Sequence, residues 1–398
     1  MVRAAKLLAM HFGLSEEERM ILQTVREFVR KEIAPLLTEV QKAEVRGERF
    51  PDKPTIKNLQ AKARTAGLWG LQTPEDYGGA NLGNVMNALV SMELGRSLVS
   101  FNFGGGADNI LFLGTEEQKH RYLLPTIEGE RRSCFALSEP NTGSDATNIQ
   151  TRAVQEPSGD WVINGQKTWI SNAHDADFAI VFAVTDTEKR ARGGITAFLV
   201  DRDMGWTERP IALMSSWEAS DVWFDNVRVP ACNVLGEVGN GFGLAMQWIG
   251  RGRLNIPARA VGQAQGLLQL GLDYARQRKA FGQPIADYQA IQWMLADTAI
   301  EIEQVKWATL HAAWVADQDR DPRHYASIAK VSGAQMVFRV ADRMLQVHGG
   351  MGYTREVPIE RILREVRVYR IFEGTDEIQK RSIARNLLRE YVRLDEWT

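Results

Sequence analysis

Glu373 stands in the run Phe372-Glu373-Gly374-Thr375-Asp376-Glu377-Ile378-Gln379, a carboxylate between an aromatic ring and a glycine, with a hydroxyl two residues on. A fully solvated carboxylate is a poor base. Burial beside a ring such as Phe372 raises its pKa, by up to about 3–5 units for a fully buried group. Even a rise of about 2 units changes proton affinity by roughly 3 kcal/mol. A Glu373 so placed could exchange a proton near neutrality.

Four other stretches carry groups able to hydrogen-bond or closely approach a ligand. Phe135-Ala136-Leu137-Ser138-Glu139-Pro140-Asn141-Thr142-Gly143-Ser144-Asp145 offers backbone N–H groups and hydroxyls in a glycine-containing loop. Trp169-Ile170-Ser171 sets a large ring beside a hydroxyl, although on spacing alone Trp169 fits the core of a sheet better. Gln277-Arg278-Lys279-Ala280-Phe281-Gly282-Gln283-Pro284-Ile285, with Tyr288-Gln289 beyond it, holds a guanidinium able to form charge-assisted bonds. Read alone, Arg278 and Lys279 are a basic helix end before a turn. Gln346-Val347-His348-Gly349-Gly350-Met351-Gly352-Tyr353 has glycines that let a ligand approach the backbone closely. His348 reads as a hydrogen-bonded histidine near a turn, not a catalytic one. No Gly-x-Gly-x-x-Gly occurs, so a Rossmann dinucleotide site is not supported; Gly239-x-Gly241-x-Gly243 comes nearest and opens no βαβ unit.

These groups need a scaffold, and the apolar period changes twice along the chain. Residues 1–130 read as helical. Ser15 and Glu18 have capping-box spacing, and Ile21, Val25, Phe28 and Val29 follow on one face until Pro35 ends or bends the helix. Pro74 to Gly79 marks a loop, and Gly104-Gly105-Gly106 suits either a turn or the close approach of a ligand. Residues 131–235 read as short strands, with Asn164-Gly165 as a hairpin turn between Trp161-Val162-Ile163 and the run Gln166 to Ile170. Such strands indicate a small barrel or sandwich. Over residues 236–398 the helical period returns, with Val261, Ala264, Leu268 and Leu272 on one face and Ile291, Leu295 and Ile300 on another. The expected fold class is α+β and multidomain: an N-terminal helical domain, a central β-barrel or sandwich, and a C-terminal helical bundle.

The 398 residues allow two or three packed units. A formal net charge of -2 gives no global pull toward nucleic acid or an anionic membrane. No run of 18 apolar residues exists to span a bilayer. Cys134 and Cys232 are the only cysteines, so neither a disulfide framework nor a zinc cluster is expected, and no other metal. Met1 to Met10 lacks a signal-peptide core and reads as a frayed or docked tail. The expected setting is cytoplasmic, or the mitochondrial matrix in a eukaryote.

In this order and over Leu14 to Leu388, the stretches together resemble the acyl-CoA dehydrogenase family, flavoenzymes that place a double bond beside a thioester. The resemblance implies FAD, bound without a Rossmann fingerprint. It implies that Phe135, Leu137 and Ser138 line the flavin ring, that Gly143 and Ser144 meet the pyrophosphate (Ser144 also near substrate), that Trp169 covers a flavin face and that Ser171 bonds near N5. Arg278, Phe281 and Gln289 would reach the FAD of a neighbouring subunit, Gln346, Gly349 and Gly350 would face its adenine side, and Thr375 and Glu377 would complete the flavin contacts. Glu373 would take the substrate α-proton, beside substrate contacts at Phe372 and Gly374, while the β-hydrogen leaves as hydride. A backbone N–H near Glu373 and a ribityl hydroxyl would hold the thioester oxygen. The implied reaction converts an acyl-CoA to its trans-2,3-enoyl-CoA, with electrons passed to an electron-transfer flavoprotein by a homotetramer.

The sequence departs from the family pattern in two places. Some members carry the base on another helix, just before the arginine of an Asp/Glu-x-x-Arg motif. Here the stretch is Gly250-Arg251-Gly252-Arg253-Leu254, which leaves Glu373 without a rival and Gly250 without the usual substrate-contacting acid. Arg253 matches the motif's arginine, as a substrate contact or as a structural salt bridge. Leu213 to Ala219 replaces the usual Lys-x-Gly-x-Arg, leaving the acyl-CoA contacts there open. Glu139 reads as fixing its own loop, Asp145 has no chemical role, and Arg361, Arg364, Arg367 and Arg370, interspersed with Glu360 and Glu365, read as a salt-bridged surface. The alternatives are an acyl-CoA oxidase, a decarboxylating glutaryl-CoA-type enzyme with Arg96 at a distal carboxylate, and a flavoprotein scaffold that binds nucleic acid or protein. Charge and an intact Glu373 count against the last. Acyl length and branching are not legible.

Overall fold

A computed structural model of the chain describes residues 13–215 and 218–389. The tail read at Met1 to Met10 lies outside these residues, as do Ser216 and Trp217 of the altered stretch.

The first helix starts as its sequence dictates. Glu18 N–H donates to Ser15 Oγ (3.1 Å) and Ser15 N–H donates to the Glu18 carboxylate (2.7 Å), which opens α1 (Glu16–Phe28). Pro35 bends the run without ending it: a π turn, Val29–Ile33, and a 3-10 turn, Ala34–Leu36, lead into α2 (Leu37–Arg46). Then come α3 (Lys53–Thr65), α4 (Asn84–Arg96) and the short α5 (Glu116–Gln118) and α6 (Leu124–Glu128). The run at 104–106 packs the chain on itself. A Cβ on Gly104 would stand 2.2 Å from the Trp69 ring and one on Gly105 2.2 Å from Gly70 N.

The middle region is one sheet. Its strands are β1 (Ser133–Ala136), β2 (Arg152–Gln155), β3 (Trp161–Ser171), β4 (Phe178–Val184), β5 (Ile195–Asp201), β6 (Thr207–Pro210), β7 (Ala219–Val229) and β8 (Val234–Leu235). They run in the order β6-β7-β3-β2-β4-β5-β8, with β1 parallel to β4. β4 is buried on both faces. Phe178, Ile180 and Phe182 pack with Ile110, Leu123 and Leu244 outside the sheet, whereas Ala179, Val181 and Ala183 share a core with Trp161, Ile163, Val222 and Phe224 of β3 and β7. The sheet therefore folds over on itself. The hairpin expected at Asn164-Gly165 does not form. β3 runs through both residues and pairs with β7, with a register shift between Ile163 and Gly165. Gly165 lies against Thr151, where a Cβ would come 2.6 Å from Oγ1, so the dipeptide makes a bulge.

The bundle consists of α7 (Gly241–Gln277), α8 (Gln289–Asp317) and α9 (Arg323–His348), followed by α10 (Ile359–Val366) and α11 (Asp376–Leu388). A small strand pair, β9 (Lys279–Ala280) and β10 (Gln283–Pro284), links α7 to α8. Val261 and Ala264 pack with Val337, Val340 and Met344 of α9 and Ile362 of α10. Ile291 and Leu295 join this core, but Ile300 is exposed: nine residues on from Ile291 at about 100° each, it faces the opposite way. Arg361 is likewise no surface residue. It is buried and donates to Gln41 (3.1 Å), Leu98 O (2.7 Å) and Glu365 (2.6 Å). Arg96 bonds Gln265 (2.8 Å) across to α7, so its helix context accounts for it.

Candidate active site

Glu373 sits between a 3-10 turn, Arg367–Arg370, and the start of α11, where Thr375 Oγ1 accepts from Ile378 N–H (3.2 Å) as N-cap. Glu373 (φ 53°) and Gly374 (φ 88°) are both left-handed, a costly backbone for a glutamate. Side chains over-determine it. Gln379 Nε2 donates to Glu373 O (2.8 Å) and Lys330 Nζ, from α9, donates to Gly374 O (2.6 Å). Phe372 stacks on Tyr369, with ring centroids 5.6 Å apart and planes at 12°.

The turn aims the carboxylate at α7. A Cβ on Gly252 would lie 2.9 Å from Glu373 Cδ. Glu373 Oε2 is buried and has no hydrogen-bond partner among the described residues. Burial pushes the Glu373 carboxyl up to about 7, against the pull of Arg253 and Lys330. Burial pushes Lys330 down to about 8, against Asp376 and Glu373. Arg253 is held below its ordinary value by burial, and its Nε is directed at Glu373 O at the long distance of 3.5 Å. It therefore lies against the Glu373 turn. Pro257, inside α7, removes the bond that Arg253 O would otherwise accept, so the helix is loosened where it meets Glu373.

The loop 135–145 is pinned from beneath. Lys167 of β3 is fully buried and donates to Leu137 O (3.0 Å) and Glu139 (2.8 Å). Glu139 also accepts from the N–H groups of Gln150 (2.5 Å) and Thr151 (2.9 Å), and despite its burial is held below its ordinary value by Lys167 and these donors. Glu139 thus fixes the loop. Phe135 and Ser138 are half-buried, and Gly143 and Ser144 are exposed. The Leu137 side chain lies in the core, leaving only its backbone to meet a ligand. Trp169, against its spacing, is not a core residue. The register shift between Lys167 and Ile170 turns it outward at φ 60°, exposed beside exposed Ser171.

The remaining positions lie elsewhere. Arg278 ends α7, Phe281 at the tip of the β9–β10 pair is 98% exposed, and Gln289 opens α8. Gln346, Gly349 and Gly350 are exposed at the end of α9, beside the stack of His348 on Tyr274 (4.3 Å). His348 is buried with Nδ1 on Met344 O (2.8 Å), a structural histidine. From Gly252 to Arg278 is 26 helical residues, about 39 Å at a rise of about 1.5 Å each. One chain thus gathers Phe372, Glu373, Gly374, Thr375 and Arg253 at one end of the bundle, and Arg278, Phe281, Gln289, Gln346, Gly349 and Gly350 at the other. Glu377 is exposed on the first turn of α11.

Sequence reasoning missed two residues here. Lys330 is a lysine inside the buried stripe Ala326, Ala334, Val337, a polar break in an apolar face that was there to be seen. Trp248, on α7 one turn before Gly252, stacks on Phe135 (3.9 Å, 10°) and donates from Nε1 to Asp108 (2.6 Å), which also accepts from Ser133. Nothing local in the sequence marks it.

Family models cover almost all of the chain: the acyl-CoA dehydrogenase N-terminal domain matches residues 15–130, the middle domain 134–227 and the C-terminal domain 239–388. The chain belongs to the acyl-CoA dehydrogenase family. Among its relatives, Probable acyl-CoA dehydrogenase YngJ of Bacillus subtilis (strain 168) is 40% identical over 96% of this chain and 100% of its own length. Short-chain specific acyl-CoA dehydrogenase, mitochondrial, of Homo sapiens is 37% identical over 95% of this chain and 92% of its own. The solved butyryl-CoA dehydrogenase from Megasphaera elsdenii superposes with a TM-score of 0.84 at 32% identity, covering 96% of this chain and 100% of that one. Acyl-CoA dehydrogenases are FAD-dependent oxidoreductases, and this chain is one of them. Its residues suit a flavin: large exposed rings at Trp169 and Phe281, and open space where Gly143 and Gly350 would carry a Cβ. No described helix is long and apolar enough to cross a membrane.

Proposed function

We propose that the chain removes the α-proton of an acyl-CoA with Glu373 and forms the trans-2-enoyl-CoA, an electron-transfer flavoprotein taking the electrons. The observation that carries this reading is the Glu373 carboxylate itself: buried, pushed up to about 7, and without a partner at Oε2. A base poised near neutrality suits proton abstraction at physiological pH. The α-proton is transferred to Glu373, whose negative charge Arg253 and Lys330 steady beforehand. No described group accepts from the Glu373 N–H, which leaves it available to the thioester oxygen. FAD, when bound, supplies the acceptor for the β-hydride. Phe135, Ser138, Trp169, Ser171, Thr375, Glu377 and the backbone of Leu137 hold its ring, and Gly143 and Ser144 its pyrophosphate. Ser144, Arg253, Phe372 and Gly374 meet the substrate.

The second cluster lies too far from Glu373 to complete the same site, which supports Arg278, Phe281, Gln289, Gln346, Gly349 and Gly350 serving a neighbouring subunit's FAD. Trp293, Ile300 and Trp307 stand seven residues apart as an exposed stripe on α8, an assembly surface for the homotetramer. Trp248, fixed by Phe135 and Asp108, lies four residues before Gly252 on the same face of α7, so we assign a short acyl group. This accords with the short-chain and butyryl names of two relatives. The cytoplasm, or the mitochondrial matrix, is the corresponding setting. An anaerobic titration with short, long, branched and dicarboxylic acyl-CoAs tests the reading. Short thioesters are expected to bleach the flavin; a bound flavin that none of them reduces would refute it.

A further inference from the structure

Lys330 sits fully buried in α9, among residues of an apolar face. Burying an ammonium is costly unless it is compensated, and a methionine of similar length would fill the space without that penalty. The charge therefore needs a local reason. Lys330 forms no ion pair among the described residues, and its one hydrogen bond runs to Gly374 O (2.6 Å). The nearby Asp376 is engaged at Oδ2 by Arg370 (2.7 Å) and Gln335 (3.1 Å), with Oδ1 left buried and unpartnered among the described residues. Asp376 thus already has a counter-charge in Arg370, whereas the Glu373 carboxylate has no ion pair or hydrogen bond among the described residues.

We propose that Lys330 is the positioning residue of the base: through the Gly374 carbonyl it holds the left-handed turn that aims Glu373 at Gly252, and its charge favours the ionised carboxylate. This rests on the reading of Glu373 as the base. The charges that act on the Glu373 carboxylate are Arg253 from α7 and then Lys330 from α9, and those that act on Lys330 are Asp376, Glu373, Arg253 and Glu377. Arg253 acts in the same sense as Lys330, but its contact to the turn is at the long limit. Asp376 acts on Lys330 and is itself paired with Arg370 through Oδ2. Lys330 alone combines charge with a short bond to the backbone.

Three variants separate the two roles. Lys330→Gln keeps a donor for Gly374 O and drops the charge, Lys330→Met drops both, and Lys330→Arg keeps the charge. Two quantities are followed against pH: the rate of anaerobic flavin reduction by a short acyl-CoA, and the infrared carboxylate band that disappears in Glu373→Gln. The second reads the ionisation of Glu373 without turnover. We expect Lys330→Gln and Lys330→Met to retain flavin and to shift both midpoints to higher pH by about 1 unit, a roughly tenfold rise in proton affinity. Lys330→Arg keeps the wild-type midpoint. Lys330→Met should also be at least about tenfold slower than Lys330→Gln on the pH plateau, having lost the backbone hold. Midpoints of Lys330→Gln that superimpose on wild type would overturn the proposal, and so would failure of both uncharged variants to fold with flavin. If no acyl-CoA reduces the wild-type protein yet the infrared midpoint still moves, the assigned reaction is wrong and the positioning role stands.

Discussion

The Glu373 carboxylate occupies the space that a side chain at Gly252 would need. A Cβ there would stand 2.9 Å from Glu373 Cδ and 3.0 Å from Oε2. The two positions are 121 residues apart in the chain, yet each excludes bulk at the other. The steric exclusion is confined to Gly252, for a Cβ on Gly250 would meet nothing within 4 Å: with the Glu373 carboxylate on the turn before α11, α7 must be bare at position 252.

Gly252→Ala should therefore move the carboxylate and leave the fold intact. Alanine favours a helix over glycine by about 1 kcal/mol, so α7 gains locally while the base is displaced. A misplacement of about 1 Å can cost about 100-fold in rate. The expected outcome is an unchanged flavin content and a reduction rate lowered by about 10- to 100-fold, measured by anaerobic rapid mixing. A wild-type rate would mean that the carboxylate has slack the structure does not show.

Glu373→Gln keeps shape and removes the base. Reduction of the flavin by acyl-CoA should fall by at least about 100- to 10,000-fold with FAD retained. In the wild type the base works only when ionised, so the acid limb of kcat/KM should have its midpoint near 7. Stability follows with a definite sign. The native carboxyl keeps its proton up to about 7 whereas the unfolded one, at 4.5, loses it earlier. The protonated form's contribution is fully present below the unfolded value and is lost as pH rises through 7, roughly 3 kcal/mol in all. Glu373→Gln escapes that loss, so its unfolding midpoint relative to wild type should rise between pH 5 and pH 8 in calorimetry.

Local signals survived folding and long-range ones did not. The capping box at Ser15 and Glu18 was legible because both partners lie within one turn. Glu139 was legible as a loop-fixing group from its place before Pro140, although its partners Gln150, Thr151 and the buried Lys167 lie 11, 12 and 28 residues on. Asn164-Gly165 misled because what makes it a bulge is a partner strand, β7, more than fifty residues on. Trp169 misled through the neighbouring register shift. Glu373 could be picked out by its segment, but its setting could not. Gly252, Arg253 and Lys330 reach it from two other helices, and it is this burial between helices that moves its proton affinity.

Trp248→Ala removes the plate beside the site. Phe135 loses its stacking partner, Asp108 loses a donor, and the space one turn from Gly252 opens. Longer or broader acyl-CoAs should gain in kcat/KM relative to butyryl-CoA, by about 10-fold or more if each added methylene finds room worth about 0.8 kcal/mol. The chain-length profile measures this. An unchanged profile would place the limiting wall elsewhere and withdraw the short-acyl assignment.

Arg278→Ala and a charge in the α8 stripe, Trp293→Asp, probe the far end of the bundle by separate routes. Arg278 is exposed at the end of α7, about 39 Å along the helix from Gly252, so within one chain it has no path to the Glu373 site. If it serves a neighbour's FAD pyrophosphate, its loss should weaken flavin retention by about 10-fold or more without changing the assembly, since a charge-assisted bond contributes about 1.5–3 kcal/mol. Trp293→Asp should first dissociate the oligomer and then, as a consequence, release FAD, with light scattering and the flavin absorbance followed on one column. Dissociation with flavin retained would show that each chain binds its cofactor alone, and Arg278 would then be an ordinary helix terminus.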